Sequence, residues 1–330
     1  MSSTFEQAVA VEAAMLSLTV RNKTEIAHEI FLFELASDAQ PHLPAFSAGS
    51  HVVVVTPAGL TRRYSLCNAA SEDGRYVIAV KRDAQGDGGS VSMTDRVQIG
   101  DRLLVSQPEN YFPLASDLSS CVLIAGGIGV TPILCMVHEL LARNVDFRVI
   151  YCTRSPETTA FLEELSAPEL AGRVLIHHDY GDRALSLDLA PLLAERASGA
   201  QLYCCGPRPL MQAVRDMTRH WPSSVVHFED FGTSPHPAQE QGADKPFSVR
   251  LSRQDLTINV PVGVSILEAL RGSGVSVPSS CESGTCGSCR TGLIAGVAEH
   301  RDFVLGDDEH DKDIIICVSR AQSAELVLDL

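Results

Sequence analysis

Four cysteines toward the C-terminal end constrain this chain more than any other feature. Cys281, Cys286 and Cys289 stand at C-x4-C-x2-C spacing in the run Cys281-Glu-Ser-Gly-Thr-Cys-Gly-Ser-Cys289, and Cys317 follows after 27 intervening residues. This is the ligand spacing of a plant-type [2Fe–2S] cluster, in which thiolates hold two irons. The residues between the cysteines suit that task. Gly284, Thr285, Gly287 and Ser288 are small, so the loop can wrap closely and aim backbone N–H groups at anionic sulfurs. A zinc site normally shows two short cysteine pairs instead. The other six cysteines are scattered through apolar stretches, where cysteine behaves as a small buried hydrophobe.

The chain has 330 residues, enough for two or three domains. From about Met15 to Leu114 apolar residues recur with period two. Leu16–Val20, Ile30–Leu35, His51–Val55, Tyr76–Val80 and Leu103–Val105 read as strands, and Gly/Pro/Asp clusters separate them. Short strands at this spacing predict a barrel or sandwich. From about Leu118 the pattern changes. Cys121–Ala125 is a continuous apolar run, as in a strand buried on both faces. Ile133, Met136, Val137, Leu140 and Leu141 follow at helical spacing, and Phe147–Cys152, Val174–Ile176, Gln201–Cys205 and Val225–Phe228 are strand-like. Alternating strand and helix predicts a parallel sheet. Residues 233–245 are polar and aperiodic and read as a linker. Beyond them, Phe247–Leu251 and Leu256–Val260 suggest a hairpin. Ser265-Ile-Leu-Glu268 has capping-box spacing and predicts a helix start, and Ile314–Ile316 is strand-like.

Charge narrows the partners. Lys plus Arg is 26 and Asp plus Glu is 41, a net of −15. A phosphate-backbone binder normally carries the opposite sign, so neither nucleic acid nor an anionic membrane surface is expected. The longest uncharged apolar stretch, Cys121 to Val137, is broken by Gly126, Gly127, Gly129, Thr131 and Pro132 and is shorter than the ~20 residues of a spanning helix. The N-terminal stretch lacks a secretory pattern, so a cytoplasmic location is expected.

Two glycine sites point to a dinucleotide. Ala125-Gly-Gly-Ile-Gly-Val-Thr-Pro132 follows a strand and opens a helix, where backbone N–H groups receive a pyrophosphate. Thr131 is placed to cap that helix, and Pro132 to begin it. The run is neither G-x-G-x-x-G nor a Walker loop. Cys205-Gly206-Pro207 closes a second strand at the same carboxyl edge of the sheet. Cys204, by alternation, is expected to point into the core.

In this order the motifs resemble those of the phthalate dioxygenase reductase family, within the ferredoxin–NADP reductase superfamily. The resemblance covers nearly the whole chain from about residue 15. It rests on Arg62-Arg-Tyr-Ser-Leu66, Ile78-Ala-Val-Lys81, Gly88-Gly-Ser90, Gly126–Pro132, Cys205-Gly-Pro207, His227–Gly232 and the cysteine loop. It implies an antiparallel six-stranded Greek-key flavin barrel over 1–115 and an α/β parallel-sheet NAD-binding domain over 116–232. A β-grasp [2Fe–2S] ferredoxin domain follows the linker over 246–330. The implied flavin is FMN, with FAD in more distant relatives. Arg62 would meet its phosphate, Tyr64 its ring and ribityl, and Ser65 its reactive N5. Arg63, Ala79, Val80, Lys81, Gly88, Gly89, Ser90, Thr131 and Phe231 complete the implied flavin set. NADH would lie on Gly127, Ile128, Gly129, Thr153, Arg154, Cys205, Gly206 and Pro207. Ser65 and Cys205 are the implied catalytic positions, Cys205 placing the nicotinamide. Cys281, Cys286, Cys289 and Cys317 are the implied metal ligands.

The resemblance implies an NADH:acceptor oxidoreductase, likened to a monomer, that moves electrons from NADH through FMN and [2Fe–2S] to a Rieske-type oxygenase. A reductase for another such oxygenase or O-demethylase, for example one acting on vanillate, is the alternative. A non-catalytic metal-binding or redox-sensing module is the alternative of another class. Arg154 leaves NADPH open, and Asp179 is either a nucleotide contact or part of a solvated turn. The run Asp307–Asp313 is read as a solvated loop or as an element that steers docking.

Overall fold

The computed structural model describes residues 15–231 and 244–330, so most of the expected linker lies outside the described residues. Two compact units emerge, Met1–Leu210 and Met211–Leu330, and the division falls inside the helix Arg208–Met217.

The first unit begins with an antiparallel barrel. Its strands are β1 (Leu16–Ala27), β2 (Ile30–Ala36), β3 (Ser50–Val55), β4 (Thr61–Ser65), β5 (Tyr76–Lys81) and β6 (Arg102–Val105), with the short β7 (Glu109–Asn110) beside β3. They are ordered β4-β3-β6-β1-β2-β5, and the path closes where Leu66, just past β4, bridges Ile78 of β5. Alternation drives this. Val20, Phe33, Leu35, Val52, Val54 and Ile78 point inward and are fully buried, each burial worth about 1.5–3 kcal/mol. Helix α1 (Gly89–Arg96) lies between β5 and β6 in sequence.

The parallel sheet of the same unit comprises β8 (Ser120–Gly126), β9 (Asp146–Thr153), β10 (Val174–His178) and β11 (Ala200–Cys205), ordered β10-β9-β8-β11. Its helices are α2 (Val130–Ala142), the short α3 (Leu162–Leu165) and α4 (Ala190–Leu193), and α5 (Arg208–Met217). The continuous apolar run of β8 places Leu123, Ile124 and Ala125 in a fully buried strand between two neighbours. One expectation is corrected at α2. Thr131 does not cap it: the cap is Gly129, and Thr131 lies inside the first turn, donating from Oγ1 to the Ile128 carbonyl at 3.1 Å. Pro132 is the third helical residue rather than the first, still within the turn whose N–H groups have no intrahelical partner.

The second unit carries β12 (Val226–Glu229) and a mixed sheet. The sheet strands are β13 (Phe247–Leu251), β14 (Leu256–Val260), β15 (Arg290–Ala295), β17 (Asp313–Ile315) and β19 (Glu325–Leu328), with β16 (Ala298–Glu299) pairing β18 (Arg320–Ala321). The order is β14-β13-β19-β15-β17, with β13 and β19 parallel and the other neighbours antiparallel. Helix α6 (Ile266–Gly272) starts at the expected capping box. The Ser265 Oγ accepts from the Glu268 N–H at 3.1 Å, and the Glu268 carboxylate accepts from the Ser265 N–H at 2.8 Å. Its Ile266, Leu267 and Leu270 join Val249, Leu251 and Leu328 in the core of this unit. Among the described residues no helix is long and apolar enough to cross a membrane.

Candidate functional site

The barrel rim presents Arg62 and Tyr64 on β4, two residues apart and therefore on one face. β4 is held in register by β3, with Val54 opposite Arg62 and Val52 opposite Tyr64. The Tyr64 hydroxyl is buried and has no hydrogen-bond partner among the described residues, and burial raises its pKa to about 12. A buried donor without a partner is costly, so this atom fits a polar ligand that reaches it. Ser65 is buried and Arg63 exposed. Ala79 and Val80 are buried on β5, and Lys81 at its end is exposed. Gly88 is the N-cap of α1 and Gly89 its first residue, and the Ser90 hydroxyl accepts from the Asp83 N–H at 3.0 Å. Arg62 packs so tightly over Gly89 that a Cβ there would meet its Nε at 2.7 Å. A guanidinium beside the N–H groups that open a helix suits a phosphate.

The glycine turn joins the barrel to the parallel sheet. Gly127–Gly129 forms a single tight turn between β8 and α2, and β5 approaches that same turn. A Cβ on Gly129 would stand 2.3 Å from the Cys205 carbonyl oxygen, and one on Gly126 would stand 2.6 Å from Pro207. Glycine is what lets the ends of β8 and β11 meet. The sites Gly127-Ile128-Gly129 and Cys205-Gly206-Pro207 are therefore one feature, at the carboxyl edge where ligands of such sheets bind. Thr131 is buried beside it. Cys204 and Cys205 are both fully buried, and burial pushes the Cys204 thiol up. At the end of β9, Thr153 is buried and its Oγ1 lies 2.7 Å from His178 Nδ1, while Arg154 is exposed. Asp179 sits in a turn, its Oδ1 accepting from the Gly181 N–H at 2.8 Å. Phe231 is half-buried in the second unit, two residues after β12.

In the second unit the four sulfurs meet in two pairs, Cys281 with Cys286 and Cys289 with Cys317. Within each pair the sulfur contact pushes one thiol down and the other up: Cys281 and Cys289 fall, Cys286 and Cys317 rise. Among the described residues no three His, Cys, Asp or Glu side chains gather around a single ion. Two thiolates for each of two irons is the arrangement a [2Fe–2S] centre needs, and the loop supplies donors to it. The Ser283 N–H points to Cys281 Sγ at 3.4 Å, the Cys281 N–H to Cys286 Sγ at 3.5 Å, and the Ser288 hydroxyl lies 3.2 Å from Cys286 Sγ. Gly284 has φ +81, and a Cβ there would meet Val318 at 2.7 Å, so the wrap around the sulfurs requires glycine.

Several supporting residues carry no sequence signal. Glu282, inside the cysteine loop, has φ +54 and is held by Arg271 of α6 at 2.7 Å and by the Ser279 hydroxyl at 2.9 Å. Buried Asp302 accepts from the N–H groups of Val304 and Leu305 at 2.9 and 2.8 Å. In the acidic run, Glu309 and Asp313 are paired with Arg290 at 2.8 and 2.6 Å. Two of that run's five carboxylates are therefore engaged within its own fold.

Comparison with known proteins agrees with this geometry. Residues 17–112 match an oxidoreductase FAD-binding domain, 123–216 an oxidoreductase NAD-binding domain, and 249–322 a 2Fe-2S iron-sulfur cluster binding domain. The chain is 53% identical over 314 residues to the phthalate 4,5-dioxygenase oxygenase reductase subunit of Pseudomonas putida, covering 95% of this chain and 96% of that protein. It is 50% identical over 320 residues to the phthalate dioxygenase reductase of Burkholderia cepacia, covering 97% and 98%. A solved phthalate dioxygenase reductase, described as a modular structure for electron transfer from pyridine nucleotides to [2Fe–2S], superposes with TM-score 0.69 at 50% identity over 97% of this chain and 99% of that one. With the barrel, the nucleotide sheet and the paired cysteines all in place, the chain is an oxidoreductase that belongs to the phthalate dioxygenase reductase family.

Proposed function

We propose that this protein is the NADH-dependent reductase of a two-component, Rieske-type aromatic-ring oxygenase of the phthalate dioxygenase kind, with FMN as its flavin. The observation that carries this is the meeting of β5, the Gly127–Gly129 turn and Cys205 within one unit. It brings the expected flavin wall and the expected nicotinamide cradle to one place. The working domains are 1–115, 116–232 and 246–330, joined by 233–245. Bound there, FMN would supply the link between a two-electron hydride donor and a one-electron cluster that cannot itself accept a hydride.

The protein's residues hold and orient. Arg62 and the first N–H groups of α1 receive the phosphate end of FMN, and the Tyr64 hydroxyl meets the ribityl chain. Ser65 and Thr131 flank the reactive edge, with Ala79, Val80 and Lys81 beside the ring. Arg63, Gly88, Gly89 and Ser90 complete the pocket. Gly127–Gly129, Thr153 and Arg154 hold NADH, and Cys205–Pro207 position its nicotinamide. Cys281, Cys286, Cys289 and Cys317 hold the cluster.

The test is reconstitution. The purified protein is expected to contain iron, sulfide and FMN, to bleach with NADH faster than with NADPH, and to support turnover by a phthalate-type oxygenase. Turnover only with a vanillate demethylase oxygenase would reassign the partner. Absence of flavin and cluster after reloading would overturn the reading.

A further inference from the structure

We propose that Asp87 is a built-in competitor for the flavin phosphate: its carboxylate occupies the Arg62 guanidinium and the Gly89 N–H, the same donors the phosphate would use. The inference rests on the FMN reading above and deepens it.

Asp87 immediately precedes the cap of α1. Its carboxylate forms an ion pair with Arg62 Nη2 and accepts from the Gly89 N–H. These contacts hold its pKa below the ordinary carboxylate value, with Arg62 the largest cause. Arg62 is steadied from the other side as well, its Nη1 donating to the Thr61 carbonyl at 2.6 Å. One observation independent of this pair fits a ligand reaching the same donors: the Tyr64 hydroxyl, on Arg62's face of β4, is buried and has no hydrogen-bond partner among the described residues.

A carboxylate and a phosphate monoester cannot share these donors. The monoester carries about −1.5 to −2 charges near neutral pH, so the two anions repel. The phosphate makes the stronger, two-pronged contact with arginine, but it gains only the difference between its own contacts and those Asp87 gives up. Asp87 is mostly exposed and can swing outward into water. FMN loading is therefore an exchange of one anion for another. Riboflavin, which lacks the phosphate, leaves the Asp87 contacts in place.

The experiment uses the full-length protein stripped of flavin and titrated with FMN and with riboflavin, following flavin fluorescence, for wild type and Asp87→Asn. Asparagine keeps the size of the side chain on an exposed turn. FMN is expected to bind about three- to tenfold more tightly to the variant, with riboflavin affinity unchanged. Equal or weaker FMN binding by the variant, or an equal gain for riboflavin, overturns the competition. If wild type takes up no FMN at all, the flavin assignment itself falls, an outcome separable from the other two.

Discussion

Asp302 shows how one buried carboxylate is kept charged. Burial alone would raise its pKa. The contact with His300, the N–H groups of Leu305 and Val304, and the charge of Arg215 together pull it below the ordinary value of 3.8. A carboxyl whose folded pKa lies below its unfolded one adds stability that is present above the unfolded value and lost as pH falls through the folded one. Asp302→Asn should therefore destabilise the protein at pH 7, and the gap to wild type should narrow as pH falls through and below the ordinary carboxylate value. Trp221, the only tryptophan of the chain, is buried in the same unit and reports its urea unfolding. A gap that stays constant with pH would refute the assignment. At this scale the cysteine ligands and the Arg62-Arg-Tyr-Ser run were legible because their spacing itself encodes the chemistry. Asp302, Glu282 and the Asp87–Arg62 pair were not. Their partners are set by tertiary placement, 87 residues apart for Asp302 and Arg215, and no periodicity marks such pairs.

Elements were legible where burial imposes a period. The hairpin Phe247–Leu251 and Leu256–Val260 falls where alternation put it, and the capping box opens α6 at Ile266. β4 was not identified as a strand, since Thr61-Arg-Arg-Tyr-Ser65 is polar and is ordered by pairing with β3. Helix α1 was hidden by the Gly-rich stretch that begins it, which reads locally as a turn. β19 lies mid-sheet but has no signature in the sequence, because a four-residue strand carries too little pattern. The join between β8 and β11 yields a sharp prediction. A methyl on Gly129 would stand 2.5 Å or less from the Cys205 backbone C and O atoms, and backbone at a strand end has little room to retreat. Gly129→Ala should cost about 1–3 kcal/mol by the scale of overpacking and weaken NADH binding in the variant that remains folded. Unchanged nucleotide affinity in a folded variant would contradict the shared edge.

At the scale of the whole molecule, three family domains are distributed over two compact units, because α5 belongs in sequence to the nucleotide domain while its Arg215 donates to the carbonyls of Asp302 and Leu305 in the second unit. The net charge of −15 acts on both ends of the electron path, with opposite sign. It repels the anionic nucleotide and attracts a partner that offers a basic face. Raising the salt from about 0.05 to 0.5 M should therefore speed flavin reduction by NADH while slowing delivery to the oxygenase, since screening weakens both effects. Stopped-flow traces of the two steps check this, and parallel salt slopes would count against it. The seven basic and twelve acidic residues of 246–330 leave a local excess of −5, which places part of the attraction near the cluster. The order β14-β13-β19-β15-β17 has one more consequence. The middle strand of the iron–sulfur sheet, β19, follows all four thiols in sequence, so the apolar core that Leu326 and Leu328 share with Cys289 and Cys317 is closed by a strand made later than any of the ligands.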